Sequence, residues 1–426
     1  MRLNLAAYRL LAPGLYALAA LYLLKRSVAQ PAYLKGWSQR YALGKFPVPE
    51  VKGPVFWLHA VSVGETRAAR PVVEALLKRY PDCGIVLTHM TPTGKEAGAG
   101  IVALAPQRIT QCFLPYDTAG NARRFLRSVK PALGLVMETE VWPNLLDEAR
   151  KAHCPVVLIN GRLSEKSLNM CLKWRPLMNE AFGRFAAICA QSEEDAARYM
   201  MLQDKVPVVT GSLKFDVAVD GKARDRALED KKGFARRIVL FASSRQGEEK
   251  DFIACAKALA RRDVLYVIVV RHPQRFDEVA ELLDGANVGF ARKSQRSFDE
   301  IDDAVAFYLG DTMGEMGYYC ALADVVVMGG SFGNFGCQNV IEPAQMGRGV
   351  IVGPSTFNFA HVVRAGVASG AVRQVADMRQ ALDAALEVVS DGEELARFGA
   401  KASAFARSLS GATRKTLEVI GRFIKQ

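Results

Sequence analysis

Beyond Pro31 the chain alternates short, almost wholly apolar runs with longer stretches in which apolar residues recur every three or four positions. Runs at 55–60, 85–88, 111–114, 132–137, 155–159, 186–190 and 206–209 are too short for helices and predict buried strands. The stretches between them, such as 68–80, have the spacing of amphipathic helices. The rhythm stops at 216–236, which is rich in charge (Lys222-Ala-Arg-Asp-Arg226, Glu229-Asp-Lys-Lys-Gly233) and reads as a linker with a solvated helix. A second strand series follows at 237–242, 264–270, 304–309, 324–328 and 350–352. Buried strands alternating with helices predict parallel, doubly wound sheets. Two such α/β series predict two Rossmann-like domains facing a central cleft, with ligands outside the carboxyl ends of the strands. The expected organisation is an anchor segment 1–30, a first domain 31–215, a linker 216–236, a second domain 237–405 and a helix within 406–426 returning to the first domain.

The N-terminus departs from this pattern. Residues 10–24 are uncharged and almost wholly apolar, interrupted by Pro13 and Gly14, preceded by Arg2 and Arg9 and followed by Lys25-Arg26. The run falls short of the roughly 20 apolar residues that span a bilayer comfortably. No small-x-small cleavage site introduces a disulfide-style secreted sequence. It is expected to be an uncleaved anchor that dips into or marginally spans the membrane, the competing reading being a buried core helix. Lys25-Arg26 would keep the following domains cytoplasmic, with Arg2 and Arg9 pulling the other way.

Composition narrows the partners. Fifty-six Lys and Arg against 44 Asp and Glu leave a net charge of +12, which favours anionic partners. Nucleic acid is not expected, because no basic run is interleaved with aromatics. Eight scattered cysteines without Cys-x-x-Cys spacing read as reduced, mostly buried thiols. Five dispersed histidines form no cluster at metal spacing, so neither a metal nor a cofactor is expected.

Polar residues collect where the predicted strands end. In Ser62-Val-Gly-Glu-Thr66, Glu65 stands where a helix begins. Such a carboxylate either complements the helix N-terminus or acts as a general base, the helix end lowering its pKa and keeping it ionised. In Met137-Glu-Thr-Glu-Val-Trp-Pro-Asn144, Glu138 and Glu140 flank one threonine and point the same way if the segment is extended. Trp142 adds a flat apolar face, and Pro143 suits the first turn of a helix. Arg162, Ser164 and Lys166 suit an anionic group, or equally a solvated turn.

In the second half, Ser243-Ser-Arg-Gln-Gly-Glu-Glu249 joins a strand to a helix whose first N–H groups suit phosphate. Val270-Arg-His-Pro-Gln-Arg275 and Gly310-Asp-Thr-Met-Gly-Glu315 end further strands. Most specific is Gly329-Gly-Ser-Phe-Gly-Asn-Phe-Gly336, followed by Gln338, Asn339 and Glu342-Pro-Ala344. Its glycines admit a phosphate close to the backbone, although tight turns alone can require them. Glu342 suits ribose hydroxyls. These features together describe a nucleotide-using enzyme near a membrane.

The ordered set His59-Ala-Val-Ser-Val-Gly-Glu65, Glu138-Thr-Glu-Val-Trp-Pro-Asn144, Asn160-Gly-Arg-Leu-Ser164, Gly211-Ser-Leu-Lys-Phe-Asp216, Arg271-His-Pro273, Asp311-Thr-Met-Gly-Glu315, Gly329-Gly-Ser331, Asn339 and Glu342-Pro-Ala344 resembles the 3-deoxy-D-manno-octulosonic acid (Kdo) transferases of lipopolysaccharide synthesis. The resemblance runs over essentially the whole chain. It implies a GT-B glycosyltransferase at the inner membrane, its domains facing the cytoplasm, that moves Kdo from CMP-Kdo to a lipid A precursor by inverting, metal-independent displacement. Glu65 corresponds to the general base, and Glu138, Glu140 and Arg162 are candidates on the acceptor side. Ser244, Arg271, His272, Pro273, Met313, Gly314, Glu315, Gly329, Gly330, Ser331, Gln338, Asn339 and Glu342 are candidates for the donor. The family commonly has Gly-Gly-His-Asn-Pro-Leu-Glu-Pro-Ala where this chain has Gly336-Cys-Gln-Asn-Val-Ile-Glu-Pro-Ala344. Gln338 donates a neutral hydrogen bond and carries no charge, which would leave more to Arg271 and the glycine backbone. The rival readings are another GT-B enzyme, such as a sugar-nucleotide epimerase, and a non-catalytic membrane-bound homologue.

Overall fold

The apolar runs become strands of two all-parallel sheets in a computed structural model that describes residues 4–217 and 221–424. The first sheet contains β1 (Val55–His59), β2 (Gly84–His89), β3 (Ile109–Phe113), β4 (Leu133–Met137), β5 (Val156–Gly161), β6 (Ala187–Ala190) and β7 (Val208–Val209), in the order β3-β2-β1-β4-β5-β6-β7. Successive side chains leave opposite faces. Trp57 packs with Cys112 and Phe125 on one side, and Phe56 and Leu58 pack with Leu76 and Ile420 on the other. Burial on both faces is why these strands read as continuous apolar runs rather than alternating ones.

The second sheet contains β8 (Arg237–Ser244), β9 (Val264–Val270), β10 (Phe290–Arg292), β11 (Phe307–Gly310), β12 (Val325–Met328), β13 (Gly349–Val352) and β14 (Val372–Gln374), in the order β10-β11-β9-β8-β12-β13-β14. β10 and β14, absent from the sequence reading, are three-residue edge strands. Each carries an arginine, and such short polar pieces give no periodic signal.

Residues up to 217, together with those from 410 on, form one compact unit, and those between form a second. Within the charged segment 216–236, residues 218–220 lie outside the described ones. Its helix, Gly221–Lys231, is more than a solvated connector, because it packs on the helix Met316–Leu322 of the second unit. Ala227 is buried there, and Lys231 Nζ lies 2.7 Å from Asp324.

Residues 400–424 are helical but broken at Gly411, whose φ of +100° ends one helix before the next, Ala412–Ile420, begins. That last helix packs on the helix Val63–Arg79 of the first unit, and Asp216 accepts hydrogen bonds from Gly411 N (2.7 Å) and Thr413 N (2.5 Å). Residues 425–426 and 1–3, which include Arg2, lie outside the described residues.

The N-terminal apolar segment forms a 25-residue helix, Leu5–Ala29, longer than its uncharged core and containing Pro13. At 1.5 Å per residue this is ~37 Å, long and apolar enough to cross a membrane. One side docks on the first unit. Tyr8 Oη donates to Asp117 (3.0 Å), Tyr16 stacks on Tyr116, Leu23 is buried, and Arg9 pairs with Asp147. The other side exposes Leu10, Leu15, Leu18 and Leu21.

Candidate active site

In each sheet the strand order reverses once, between β1 and β4 and between β8 and β12. Parallel sheets open a crevice at such a switch point. The candidate residues flank both. Glu65 follows β1 and Glu138–Glu140 follow β4; Ser243–Glu249 follow β8 and Gly329–Gly336 follow β12.

In the first unit, Ser62 caps the helix Val63–Arg79, its Oγ accepting from Glu65 N. Glu65 folds back, Oε2 accepting from Val61 N (2.7 Å) and Oε1 from Ser62 Oγ (3.2 Å). Glu65 thus completes the cap and also stands at the switch point. The expected lowering of its pKa is reversed. Burial raises it, the Val61 N–H bond opposes the rise, and the charge of Glu138 adds to it.

Glu138 and Glu140 do not lie in an extended segment. Glu138 has φ +55°, and a turn follows it in which Glu140 N reaches Met137 O at 3.4 Å. The turn still brings the carboxyls close enough to affect one another. Glu140 is pushed up to about 7, first by burial and then by the charges of Glu65 and Glu138. Its Oε2 accepts from Trp142 Nε1 at 3.0 Å.

Lys214 Nζ pairs with Glu138 Oε1 at 2.8 Å. The turn that carries Lys214 is held by buried Asn160, whose Oδ1 accepts from Leu213 N at 2.9 Å. His59 is buried, and its Nδ1 points at Thr88. Burial, then the neighbouring His89, holds its pKa down to about 3, so it is neutral and presents Nε2 3.9 Å from Glu140 Oε2. Arg162 is exposed and forms no ion pair among the described residues.

The helix Pro143–Lys151 begins at Pro143 as expected, but its N-cap residue Trp142 supplies no side-chain bond. Asp117, from the loop after β3, does so instead, accepting from Asn144 N (3.0 Å) and Leu145 N (2.8 Å).

In the second unit the glycine loop is held by a carboxylate of its own chain. Glu248 accepts from Gly330 N (2.7 Å), Phe332 N (3.0 Å), Gly333 N (3.1 Å) and Arg245 N (2.9 Å). These N–H groups, and the first turn of the helix Glu248–Leu259 with its Glu248, Glu249 and Asp251, are already complemented by negative charge. Gly329 serves packing, since a Cβ there would meet Ser243 O at 2.5 Å. Ser331 is buried, donating to Met328 O and accepting from Gly353 N. Ser244 is likewise buried, its Oγ on Glu249, which also holds Arg275. The Ser244 side chain and the Gly330 N–H are thus engaged in internal bonds.

Arg271, His272 and Met313 are exposed. Arg245 Nη1 lies 2.9 Å from His272 Nε2, and its guanidinium sits over the Phe335 ring at 4.6 Å. Slight desolvation and the charges of Arg245, Arg271 and Arg275 lower the pKa of His272. A Cβ on Gly330 would come 3.0 Å from Gln338 Nε2 and 3.5 Å from Arg245 Cγ, so these two side chains flank that glycine. Pro273 opens a short turn, Pro273–Arg275. Gly314 has φ +83°, and Glu315 is engaged by Thr312 and Arg226. Asn339 Oδ1 accepts from Ile341 N at 3.1 Å, and Glu342 lies in the first turn of the helix Ile341–Gln345. His59, Lys214 and Arg245 lie inside longer motifs whose sequence assigns them no role. Only their positions beside Glu140, Glu138 and Gln338 single them out.

The family model for 3-deoxy-D-manno-octulosonic-acid transferase (kdotransferase) matches residues 35–217. The 3-deoxy-D-manno-octulosonic acid transferase of Bordetella pertussis is 41% identical over 382 residues, covering 88% of each chain. That of Haemophilus influenzae is 31% identical over 409 residues, covering 94% of each. The chain belongs to the Kdo transferase family. It is a glycosyltransferase whose transferred group is Kdo, the sugar of lipopolysaccharide synthesis. The transferase also resembles a solved UDP-GlcNAc 2-epimerase from Neisseria meningitidis, with a TM-score of 0.58 and 15% identity over 86% of this chain and 99% of that one. This second likeness is one of fold, the GT-B-like pair of parallel sheets.

Proposed function

We propose that the enzyme moves Kdo from CMP-Kdo to a lipid A precursor by direct displacement at the anomeric carbon, with inversion and without a metal. Glu65 removes the proton of the acceptor hydroxyl. The observation that carries this reading is the position of Glu65 at the switch point of its sheet with a pKa raised by burial. A carboxylate so raised is a stronger base than a solvated one. Lys214 pairs with Glu138 and offsets the charge that Glu138 places on Glu65. Arg162, on the loop after β5, is assigned to the acceptor's anionic groups.

CMP leaves on the opposite face of the sugar. Arg245 and Arg271, with Gln338 as a neutral donor, are assigned to the phosphate charge that develops. The glycine loop acts as a rigid frame held by Glu248.

The helix Leu5–Ala29 attaches the enzyme to the inner membrane, with both units on the cytoplasmic side. Because it is docked along one side on the first unit, we assign it to lying on the bilayer rather than crossing it. Mass spectrometry of lipid products after incubation with CMP-Kdo and a lipid A precursor tests donor, acceptor and number of transfers together. Absence of a Kdo-sized mass increment on the lipid would refute the acceptor assignment.

A further inference from the structure

Beneath the loop that carries Glu138 and Glu140 lies a groove of about 540 Å³. Val141, Leu163, Met170, Met178 and Phe182 form its walls, with Lys166 and Ser167 also lining it. Thr139, the residue between the two carboxylates, belongs to the same groove, and so does Tyr199, whose Oη donates to Glu138 O at 3.4 Å. The groove is therefore built into the underside of the candidate acceptor loop.

Its mostly apolar walls favour an apolar guest over a sugar or a nucleotide. Polar groups are confined to Thr139, Lys166, Ser167 and Tyr199, and the Tyr199 hydroxyl is already engaged with Glu138 O. Methionines adapt to a flexible apolar guest, and Met170 is 54% exposed. Position adds a second argument. The helix Arg175–Phe182, which supplies Met178 and Phe182, packs against the helix Leu5–Ala29, whose far side is the leucine-rich stripe. The groove thus lies one helix away from the surface assigned to lipid.

We propose that this groove holds an acyl chain of the acceptor while the chain's own sugar lies at Glu65 and Glu140. The inference rests on the lipid-acceptor reading and adds to it a site for the chain. Selectivity among acceptors then comes from chain length and from whether a chain is present, not from the sugar alone.

The test uses the full-length enzyme in mixed micelles with CMP-Kdo. The acceptors are one phosphorylated disaccharide bearing acyl chains of decreasing length, and its fully deacylated form. For the unaltered enzyme KM should rise by up to about fourfold for each methylene removed while the chain still fills the groove. Ser167→Trp and Met170→Lys, which obstruct it, should raise KM for the long-chain acceptor about tenfold and flatten the chain-length dependence. Both variants should keep kcat/KM on the deacylated acceptor and KM for CMP-Kdo. An unchanged chain-length dependence in both variants, or an equal loss on acylated and deacylated acceptors, would overturn the groove assignment. Failure of the unaltered enzyme to glycosylate any acylated acceptor would instead overturn the lipid-acceptor reading itself, and this one with it.

Discussion

Lys214 Nζ lies 2.8 Å from Glu138 Oε1, and this pair sets the charge that Glu65 experiences. Glu138 pushes the Glu65 pKa up and Lys214 pulls it down, both on top of the rise caused by burial. Lys214→Met should therefore move the acid limb of the kcat/KM profile to higher pH, because the base then ionises later. An unmoved limb would show that ionisation of Glu65 does not control the rate.

Glu65→Ala should lower kcat by about 10²–10⁴-fold, the range expected for loss of a general base. CMP binding, measured by calorimetry, should persist, since the residues assigned to CMP come from β8, β9 and β12 rather than β1. Near-normal turnover would remove Glu65 from the mechanism.

Glu140 titrates near 7 when folded, well above an ordinary carboxyl. The folded state thus holds a proton that the unfolded state has released, and stability falls as pH rises toward and through 7. Glu140→Gln should stabilise the protein by about 2 kcal/mol at pH 8, with the gain vanishing below the ordinary carboxyl range. Parallel denaturant titrations at pH 4.5 and pH 8 read the difference.

Asp117 joins Tyr8 of the N-terminal helix to the first turn of Pro143–Lys151, directly after Trp142. Asp117→Ala should cost about 3 kcal/mol, because two buried N–H groups lose their partner. Tyr8→Phe should cost only about 1 kcal/mol, leaving those bonds intact. Equal losses in thermal unfolding would show that the cap is not the main role of Asp117.

Arg245 flanks Gly330 together with Gln338. Arg245→Ala should weaken CMP binding about tenfold or more, the loss expected for one charged hydrogen bond to phosphate. Gln338→Ala, which removes a neutral donor, should cost less. Calorimetric affinities of the two variants, compared directly, decide the order.

The central strands of both sheets were legible because burial on two faces leaves long apolar runs, as at 55–60 and 264–270. β10 and β14 were not, since an edge strand of three residues bearing an arginine resembles a loop. At the site, position was readable and direction was not. Glu65 follows β1 as its motif suggested, but its protonation depends on burial and on Glu138, which arrives from another strand. The glycine loop shows the same dependence on distant residues. Its sequence suggests N–H groups open to phosphate, and only the three-dimensional arrangement puts Glu248, more than eighty residues earlier, in that place.

Asp216 meets Gly411 across 195 residues of sequence. The ribosome therefore delivers the framework of the first unit long before its last layer, in which Val419 and Ile420 join the same core as Ala69 and Val72. The second unit is synthesised entirely within that interval. A chain arrested at 409 would carry a finished second unit beside a first with one apolar face open, a form for chaperones and proteases to recognise.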